Sequence, residues 1–412
     1  MALKRAIITS IMFLAVLGAV VGCQGPQQAT ETQEPGESSS VEPVKVESEG
    51  GTPYKIGVIM TKSGPGGWLG ETEEKAINFL VEKANKEGGI AGHPVKVIIY
   101  DDEGRAEVAT RYFKRAIESD GVIGIVGPSM TPTSLAIEPL AIDNKIPTIV
   151  MTGGYYPKAD TKWMFGAVHP SGQGFQRGFK YLQENNITKI ARLTPNDPLG
   201  KIGHDLAEKL APEYGLEIVA TEYFNLGDVD VKAQLARLKS SGAQVVITWA
   251  TGELVAMVSR QMVEMGWDVP LFVTYGNSNR QFLKMAGAKS PVITMGAKIM
   301  VVDELPDSDP MKPVIKEYVE WHQAKYGEPP SGMTDGYGYD ALNIMLDAIR
   351  RTGKGPEDLK TDPEALRSAI ENTKNLVCLN GIYNITSEDH VGLSPDDLIP
   401  MRIENGQWVV IK

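Results

Sequence analysis

The stretch "YKIGVIMTKSGPGGWLGETEEKAINFLVEK", residues 54–83, contains the unit on which the rest of this chain is built. Residues 54–60 are apolar on both faces, which is typical of a strand in a parallel sheet covered on both sides. From Glu73 to Lys86 the apolar residues recur at helical spacing. A glycine-rich loop joins the two segments, so the folded part opens with a strand, a loop and a helix.

The glycine-rich loop at 61–72 does not have the pattern of a phosphate loop. Gly70 is followed by Glu71 and Thr72, whereas a Walker loop needs Lys and then Ser or Thr. The glycine spacing is not that of a dinucleotide site either, and three glutamates at 71, 73 and 74 would repel phosphates. The loop instead offers free amides and one large aromatic residue, Trp68. This combination suits a small ligand with an apolar part, unless Trp68 only covers the edge of a core.

The alternation of strand and helix patterns continues along the chain and predicts an α/β fold. The second part of the chain restarts the cycle after an irregular stretch at 164–174, which favours two sheets in two lobes over one large sheet. Two consecutive helices are predicted at about 311–326 and 334–352, and a hairpin around Asn405-Gly406. The predicted strands are 55–60, 95–100, 122–126, 147–151, 189–193, 217–223, 244–248 and 270–274.

Composition narrows the function classes. The 412 residues are 42% hydrophobic and 23% charged, which is ordinary for a globular protein, and the formal net charge is −11. Such a surface repels nucleic acid and anionic lipid, so neither is an expected partner. The chain has two cysteines, Cys23 and Cys378, and its five histidines show no metal-binding spacing. We therefore predict no metal and no cofactor.

The first residues predict export. Lys4-Arg5 precede an apolar run from Ala6 to Val21, which is too short to span a bilayer permanently. The following "VVGC" resembles a bacterial lipobox, which implies cleavage before Cys23 and acylation of that residue. Loss of residues 1–22 removes two basic residues and no acid, so the net charge falls from −11 to −13. Residues 24–53 are polar and rich in Gln, Glu, Ser and Pro, typical of a disordered linker.

Polar loops follow the predicted strands at one edge of each sheet. They lie at 61–72, 127–133, 152–160, 194–200, 249–253 and 275–279. Because ligands of open α/β folds bind at the carboxyl ends of the strands, we expect these six loops to face one cleft. Their hydroxyls and helix-start amides suit a carboxylate, and their aromatic residues suit an apolar body. Turn and capping chemistry is the alternative explanation for each loop alone.

The sequence does not indicate an enzyme. It has no G-x-S-x-G nucleophile motif, and Cys378 has no neighbouring base. The pair Asp101-Asp102 at the end of a strand is open to two interpretations, as catalytic acids or as residues that bond neighbouring loops. We therefore predict a protein that binds a ligand without turning it over.

The ordered set of motifs resembles the solute-binding proteins of ABC importers, of the leucine/isoleucine/valine-binding type. The motifs are "NKEGGIAGHPVKVIIYDDEG" (85–104), "IGIVGPSMTPTSLA" (123–136), "GWDVPLF" (266–272), "GYGYDALNIMLDAI" (336–349) and "SEDHVGL" (387–393). The resemblance covers 54–412. It implies a type I periplasmic binding fold of two α/β lobes, joined by three hinge crossovers, that closes on one small molecule and delivers it to a membrane permease.

The resemblance also implies ligand-binding positions. In the first lobe these are Trp68 as an aromatic lid, Thr131 for the ligand carboxylate, and Gly153 and Tyr155. In the second lobe we predict the following residues: Leu199, Trp249, Thr251, Tyr275 and Asn277.

One departure from the family pattern concerns the ligand's ammonium group. Amino-acid binders of this type carry a glutamate near 275–278, where this chain has Tyr275, Gly276, Asn277 and Ser278. Either another acid such as Glu253 or Asp335 replaces it, or the ligand has no ammonium. The predicted ligand is a branched-chain amino acid or related hydrophobic carboxylate; the alternatives are an aromatic or aliphatic organic acid, or a ligand-sensing receptor of the same fold.

The predicted organisation has four parts. Residues 1–22 form a lipoprotein signal peptide and 23–53 a lipidated linker; 54–170 with 300–385 form lobe I, and 171–299 with 386–412 form lobe II. The expected location is the outer face of the cytoplasmic membrane or the periplasm. There the protein would be a lipid-anchored monomer beside its permease.

Overall fold

The computed structural model describes residues 51–411 apart from residue 159. The predicted signal peptide, Cys23 and most of the linker lie outside the described residues.

The first sheet has five parallel strands in the spatial order β2-β1-β3-β4-β5. The strand β1, between β2 and β3, is buried at six of its seven positions, as expected for a strand apolar on both faces. The strands are β1 (Tyr54–Met60), β2 (Val95–Asp101), β3 (Gly124–Val126), β4 (Thr148–Val150) and β5 (Met164–Gly166).

The second sheet has seven strands in the order β14-β13-β10-β9-β8-β6-β7. The strands β6 to β10 run parallel, and the last two form an antiparallel hairpin on the edge beside β10. They are β6 (Lys189–Pro195), β7 (Glu217–Phe224), β8 (Val245–Thr248), β9 (Leu271–Val273), β10 (Val292–Gly296), β13 (Ile399–Glu404) and β14 (Gln407–Val410); a separate short pair is β11 (Leu376–Val377) with β12 (Ile382–Tyr383).

Helices connect and cover the strands. In chain order they are α1 (Gly67–Lys86), α2 (Ala106–Arg115), α3 (Thr131–Asn144), α4 (Ser171–Glu184), α5 (Pro198–Leu210), α6 (Lys232–Ser240), α7 (Glu253–Glu264), α8 (Arg280–Ala286), α9 (Met311–Tyr326), α10 (Met333–Thr352), α11 (Pro356–Thr361) and α12 (Pro363–Glu371). The long helix α10 packs on α1, β3 and β4 and so returns the chain to the first sheet. No helix within the described ranges is long and apolar enough to cross a membrane.

The chain passes between the two sheets three times: between β5 and β6, between β10 and α9, and between β12 and β13. This confirms the predicted two-lobed α/β fold with three crossovers. The positions at which the lobes begin and end stay predictions.

All eight predicted strands form, as do the two consecutive helices and the terminal hairpin around Asn405-Gly406. Three elements differ from expectation. The irregular stretch 164–174 contains β5, which has only three residues and pairs with β4. No prediction covered the strand β10 or the apolar run 299–305, most of which lies in a 3₁₀ helix, Lys298–Glu304.

Candidate functional site

A cavity of about 450 Å³ lies between the two sheets, at the carboxyl ends of their parallel strands. This volume lies within the usual range for a small-molecule site. All six strand-end loops contribute residues to its lining, as the sequence predicted. Of the nine predicted binding residues, six line it: Trp68, Thr131, Gly153, Leu199, Thr251 and Tyr275.

The loop that carries Trp68 is held by an acidic residue from the neighbouring strand. Asp101 Oδ1 accepts hydrogen bonds from the backbone N–H groups of Lys62 at 2.9 Å, Ser63 at 3.3 Å and Glu103 at 2.9 Å. Burial opposes ionisation of Asp101, but the hydrogen bonds from Ser63, Glu103 and Lys62 together outweigh it and lower the pKa of Asp101, because they stabilise its charged form. Of the two interpretations of Asp101-Asp102, the structure thus favours loop bonding for Asp101.

Trp68 also reaches the second lobe. It is half-buried, and its indole lies next to Gly252 at the start of α7. A Cβ built on Gly252 would lie 3.1 Å from Trp68 Nε1, and Gly252 has φ +62°, a conformation that favours glycine. The two loops therefore meet across the cleft, beside the cavity that Trp68 lines.

The start of α3 supplies the hydroxyl-rich wall in the first lobe. Thr131 Oγ1 lies 3.2 Å from Thr152 Oγ1, which accepts a bond from Gly154 N at 3.3 Å. Within the described part of the chain no side chain caps the start of α3, so the N–H groups of Thr131 and Thr133 are free to bind an anion, whereas Pro132 has none. This wall can hold a carboxylate with neutral donors.

Tyr275 and Gly153 meet across the cavity floor. The Tyr275 hydroxyl donates to the backbone oxygen of His169, and a Cβ at Gly153 would overlap that hydroxyl. Burial raises the pKa of Tyr275 and lowers that of His169 to about 4, so both groups are neutral near pH 7. Because the Tyr275 hydroxyl already donates its proton to the backbone oxygen of His169, Tyr275 presents its ring to the cavity more than its hydroxyl.

Two predicted binding residues belong to the wall behind the cavity. Trp249 is only 3% exposed; its ring stacks on Phe175 at 4.2 Å between centroids, and its Nε1 donates to Ser171 Oγ at 3.1 Å. Asn277 is fully buried: its Oδ1 accepts from Gly252 N at 2.9 Å and its Nδ2 donates to Ala250 O at 2.9 Å. Neither residue lines the cavity, because both side chains hold neighbouring loops together.

Tyr155 likewise lies outside this cavity. It lines a neighbouring groove of about 790 Å³, beyond Gly153 and Gly154, between α3 and α5. Its position directly after the Gly-Gly turn turns its side chain away from the ligand cavity. Sequence position alone could not settle this direction.

The structure adds residues that the sequence did not indicate. Tyr337 comes from the first turns of α10 and lines the cavity, and among the described residues its hydroxyl has no hydrogen-bond partner. Ser129 lines the cavity beside it, with Glu73 directly behind. Glu73 occupies the apolar stripe of α1, three residues before Ala76 and four before Ile77. An acid on the apolar face of a helix is unusual, and this placement is the signal by which the sequence could have indicated Glu73.

The charged side chains that line the cavity are all acidic: Glu103, Asp197 and Glu253. Asp197 caps α5 by accepting from Gly200 N at 2.6 Å, and Glu103 pairs with Arg105 at 3.3 Å. Glu253 is exposed at the start of α7 and forms no ion pair with another described residue. Asp335, the other candidate partner for an ammonium, is fully buried and outside the lining, where it accepts from Tyr318 Oη at 2.7 Å.

Comparison with known proteins agrees with this geometry. Residues 53–407 match the family profile described as periplasmic binding protein. The chain belongs to the periplasmic binding protein family. The predicted leucine/isoleucine/valine-binding type is also confirmed by its relatives. Proteins of this family bind small solutes outside the cytoplasm.

Three known proteins illustrate what this periplasmic binding protein is similar to. The leucine-, isoleucine-, valine-, threonine- and alanine-binding protein of Pseudomonas aeruginosa is 23% identical over 319 residues, covering 77% of this chain and 81% of the relative. An extracellular ligand-binding receptor from Rhodopseudomonas palustris is 26% identical, with a TM-score of 0.80 over 88% of this chain and 99% of that one. A solute-binding protein of an ABC transporter from R. palustris BisB5, solved with 3,4-dihydroxybenzoic acid, is 21% identical, with a TM-score of 0.71 over 87% and 96%.

These similar proteins are binding proteins and receptors by name, not enzymes. The family thus agrees with the expectation of binding without turnover.

Proposed function

We propose that this protein is the lipid-anchored receptor of an ABC importer, and that it binds a branched-chain amino acid or a related small hydrophobic carboxylate. One observation carries the proposal: the cavity between the two sheets has hydroxyls and uncapped helix amides at the start of α3, and apolar side chains such as Trp68 and Leu199 elsewhere in its lining. The ligand is bound as the lobes close and released to the permease as they open.

The carboxylate would lie at the start of α3. Thr131, Thr152 and the free amides of the first helical turn can donate to it, and the positive end of the helix dipole favours a negative charge there. The apolar body would then lie among Trp68, Leu199 and Leu254, which line the same cavity.

An ammonium group has one candidate partner. Glu253 lines the cavity and has no competing ion pair among the described residues, so we propose that it takes the place of the family's glutamate. A hydrogen bond to a charged group contributes about 1.5–3 kcal/mol. Without such a bond an amino acid would have little advantage over the corresponding acid.

An aromatic or aliphatic organic acid is the second candidate ligand. It is favoured by the absence of a carboxylate at 275–278, where Tyr275 presents a ring to the cavity. The similar protein from R. palustris BisB5, solved with 3,4-dihydroxybenzoic acid, fits this possibility.

The remaining parts of the proposal concern the ends of the chain and the partner. Cys23 would carry the lipid after cleavage of residues 1–22, and the polar linker would let the lobes reach a permease in the same membrane. Mass spectrometry of the membrane fraction should find an acylated Cys23. Recovery of the mature protein with an unmodified amino terminus would contradict the proposed lipid anchor. It would not contradict the proposed ligand.

Isothermal titration with three probes tests the ligand class. L-leucine, 4-methylpentanoate and benzoate differ in the ammonium group and in the shape of the apolar body. If the protein is an amino-acid receptor, leucine binds at least about tenfold more tightly than 4-methylpentanoate, and Glu253→Gln removes that preference. Tighter binding of benzoate or 4-methylpentanoate would favour the organic-acid alternative.

Two variants test the location of the site. Trp68→Ala should weaken binding of the best probe about tenfold or more while leaving the unfolding transition in place, since Trp68 is only half-buried. Tyr223→Ala removes an exposed aromatic residue outside the lining and serves as the matched control. If the Trp68 variant and the control bind the probe with equal affinity, Trp68 does not act as a lid on the ligand.

A further inference from the structure

Two acidic side chains lie buried beneath the cavity wall. Glu73 on α1 and Asp102 after β2 are each 0% exposed, and each has one carboxyl oxygen with no hydrogen-bond partner among the described residues. Thr61 and Ser129 lie between them. Thr61 Oγ1 donates to Asp102 Oδ1 at 2.6 Å, and Thr61 N donates to Ser129 Oγ at 3.3 Å.

Glu73 has no cation to balance a charge. It forms no ion pair with any described residue, and its one close polar contact is Ser129 Oγ, 2.5 Å from Oε2. An ionised carboxylate buried with a single hydrogen bond is costly, and the nearby Asp102 adds to that cost if it is charged. Both effects favour the protonated form of Glu73.

The protonation of Glu73 decides what Ser129 offers the cavity. If Glu73 is ionised, the Ser129 proton must point to it, and Ser129 shows the ligand only an acceptor. If Glu73 is protonated, its O–H donates to Ser129 Oγ, which then accepts from both Glu73 and Thr61 N. The Ser129 proton is then free to donate into the cavity that Ser129 lines.

We propose that Glu73 is a specificity-determining positioning residue: in its protonated form it turns the Ser129 hydroxyl into a donor for an anionic group of the ligand. This inference rests on the proposed function, since it assumes a ligand with a carboxylate. It explains why the first lobe carries an acid on the apolar face of α1, directly behind the wall assigned to that carboxylate.

Few other groups that titrate face Glu73. Asp102 faces it from the end of β2, and Tyr337 faces it from α10. The charged neighbours on α1 are held in surface ion pairs, and the acid at the start of α10 accepts from a tyrosine. These contacts are Glu74 with Lys62 at 2.8 Å, Lys75 with Glu71 at 3.2 Å and with Glu328 at 3.8 Å, and Asp335 with Tyr318 at 2.7 Å.

The environment of Glu73 also sets the pH at which the donor would be lost. Burial raises the pKa of Glu73 to about 8, against the opposing effect of the Ser129 hydrogen bond. Ser129 should therefore act as a donor below about pH 8 and as an acceptor above it. Affinity for an anion should fall as the pH rises through that value.

The test is the pH profile of binding, measured by isothermal titration from pH 6 to pH 9.5 with L-leucine, 4-methylpentanoate and benzoate. The last two have no amino group that titrates in this range. For whichever of the three probes binds, we expect the dissociation constant of the wild-type protein to rise about tenfold or more between pH 6 and pH 9.5. In Glu73→Gln the amide can donate to Ser129 at every pH, so the profile should be flat and the affinity at pH 9.5 higher than in the wild type.

Two further variants separate this role from simple packing. Ser129→Ala should lose affinity at pH 6 and show a flat profile, because the donor itself is missing. Glu74→Gln changes the neighbouring glutamate, which is paired at the surface with Lys62, and should keep the wild-type profile. A wild-type profile that is flat, or a Glu73→Gln profile that matches the wild type, would overturn the inference.

An infrared measurement on the ligand-free protein tests the protonation directly. The difference spectrum between wild type and Glu73→Gln should contain the carbonyl band of a protonated carboxylic acid at pH 6.5 and lose it by pH 9.5. Carboxylate bands at pH 6.5 would overturn the inference even if one of the probes binds. If the protonated band is present but none of the three probes binds at pH 6.5, the proposed ligand class is wrong. The protonation of Glu73 is not contradicted by that result.

Discussion

For single residues, the direction in which a side chain points was the property that was hardest to predict from the sequence. Trp68 and Trp249 both follow a strand and both were predicted to contact ligand. Trp68 lines the cavity, whereas Trp249 turns back to stack on Phe175. Strand-end position indicates that a residue lies near the cleft, but the way its side chain points depends on packing partners far along the chain. The same reason accounts for Asn277 and Tyr155.

At the residue scale, the contact between Trp68 and Gly252 gives a prediction about closure. Gly252→Ala would place a methyl group 3.1 Å from Trp68 Nε1, so the indole must shift before the lobes can close. We expect roughly a three- to tenfold loss of affinity for the best probe, equivalent to about 1 kcal/mol. Titration calorimetry would measure it.

Gly215→Ala is the matched control for that variant. Gly215 has a similar left-handed φ of +69°, and a Cβ there meets nothing within 4 Å. Both variants should therefore lose a comparable amount of stability from backbone strain, of order 1 kcal/mol. An equal loss of affinity in both would mean that strain, not the contact with Trp68, weakens binding.

Among the elements, the short ones were the hardest to predict. The strand β1 has seven residues with a clear apolar run, whereas β5 has three, and its Met-Phe-Gly sequence has no alternation to detect. The pairing of β5 with β4 therefore depends on tertiary context. Long helices such as α9 carry enough turns for their periodicity to fix both ends.

Asn277 joins two strand-end loops and gives a prediction at the element scale. Asn277→Ala would leave the buried Gly252 N without a partner, whereas Ala250 O would lose one bond and keep the one from Thr274 Oγ1. Since a buried polar group left unpaired costs about 1–3 kcal/mol, we expect the free energy of unfolding to fall by about that amount. Urea denaturation followed by circular dichroism would measure the change.

The comparison variant for Asn277 is Asn372→Ala. Asn372 also donates through Nδ2 to a backbone oxygen, that of Ser368 at 2.8 Å, but at an exposed position where water can replace the bond. Its variant should unfold within about 0.5 kcal/mol of the wild type. If the two variants are equally stable, Asn277 does not hold the loops together.

For the whole molecule, the two-lobed architecture followed from the sequence because strand and helix patterns alternate and restart once. The chemical class of the ligand could not be predicted from the sequence in the same way. It depends on where hydroxyls and acids such as Ser129, Tyr337 and Glu73 meet, and these come from α1, the loop before α3, and α10. Contacts between such distant segments leave no local pattern in the sequence.

Buried acids in the first lobe predict how stability depends on pH. Burial raises the pKa of both Glu73 and Asp340 to about 8. Above pH 4–5 the unfolded chain has lost these protons while the folded protein keeps them, so each group makes stability fall as the pH rises toward 8. His169, whose pKa is lowered to about 4, acts in the opposite direction, but its effect fades above the unfolded pKa of about 6.5 and is nearly gone by about pH 7.5.

We therefore expect the wild-type free energy of unfolding to decrease from pH 6.5 to pH 8, by at most about 1.4 kcal/mol per pH unit for each acid. Urea denaturation at pH 6.5, 7.2 and 8 would show it. Glu73→Gln should reduce the slope, because one of the two acids with a pKa of about 8 is then missing. A stability that stays constant or rises over this interval in the wild type would contradict the prediction.

The position of the terminal hairpin has a consequence for biogenesis. Because β13 and β14 complete the second sheet beside β10, that sheet lacks two of its seven strands until residues 399–410 have been synthesised. The first sheet needs only the strands up to residue 166, although α10 must arrive later to cover it. The strands of the first sheet can thus pair before the second sheet is complete. Binding of a solute between the two sheets should begin only after residues 399–410 have joined β10.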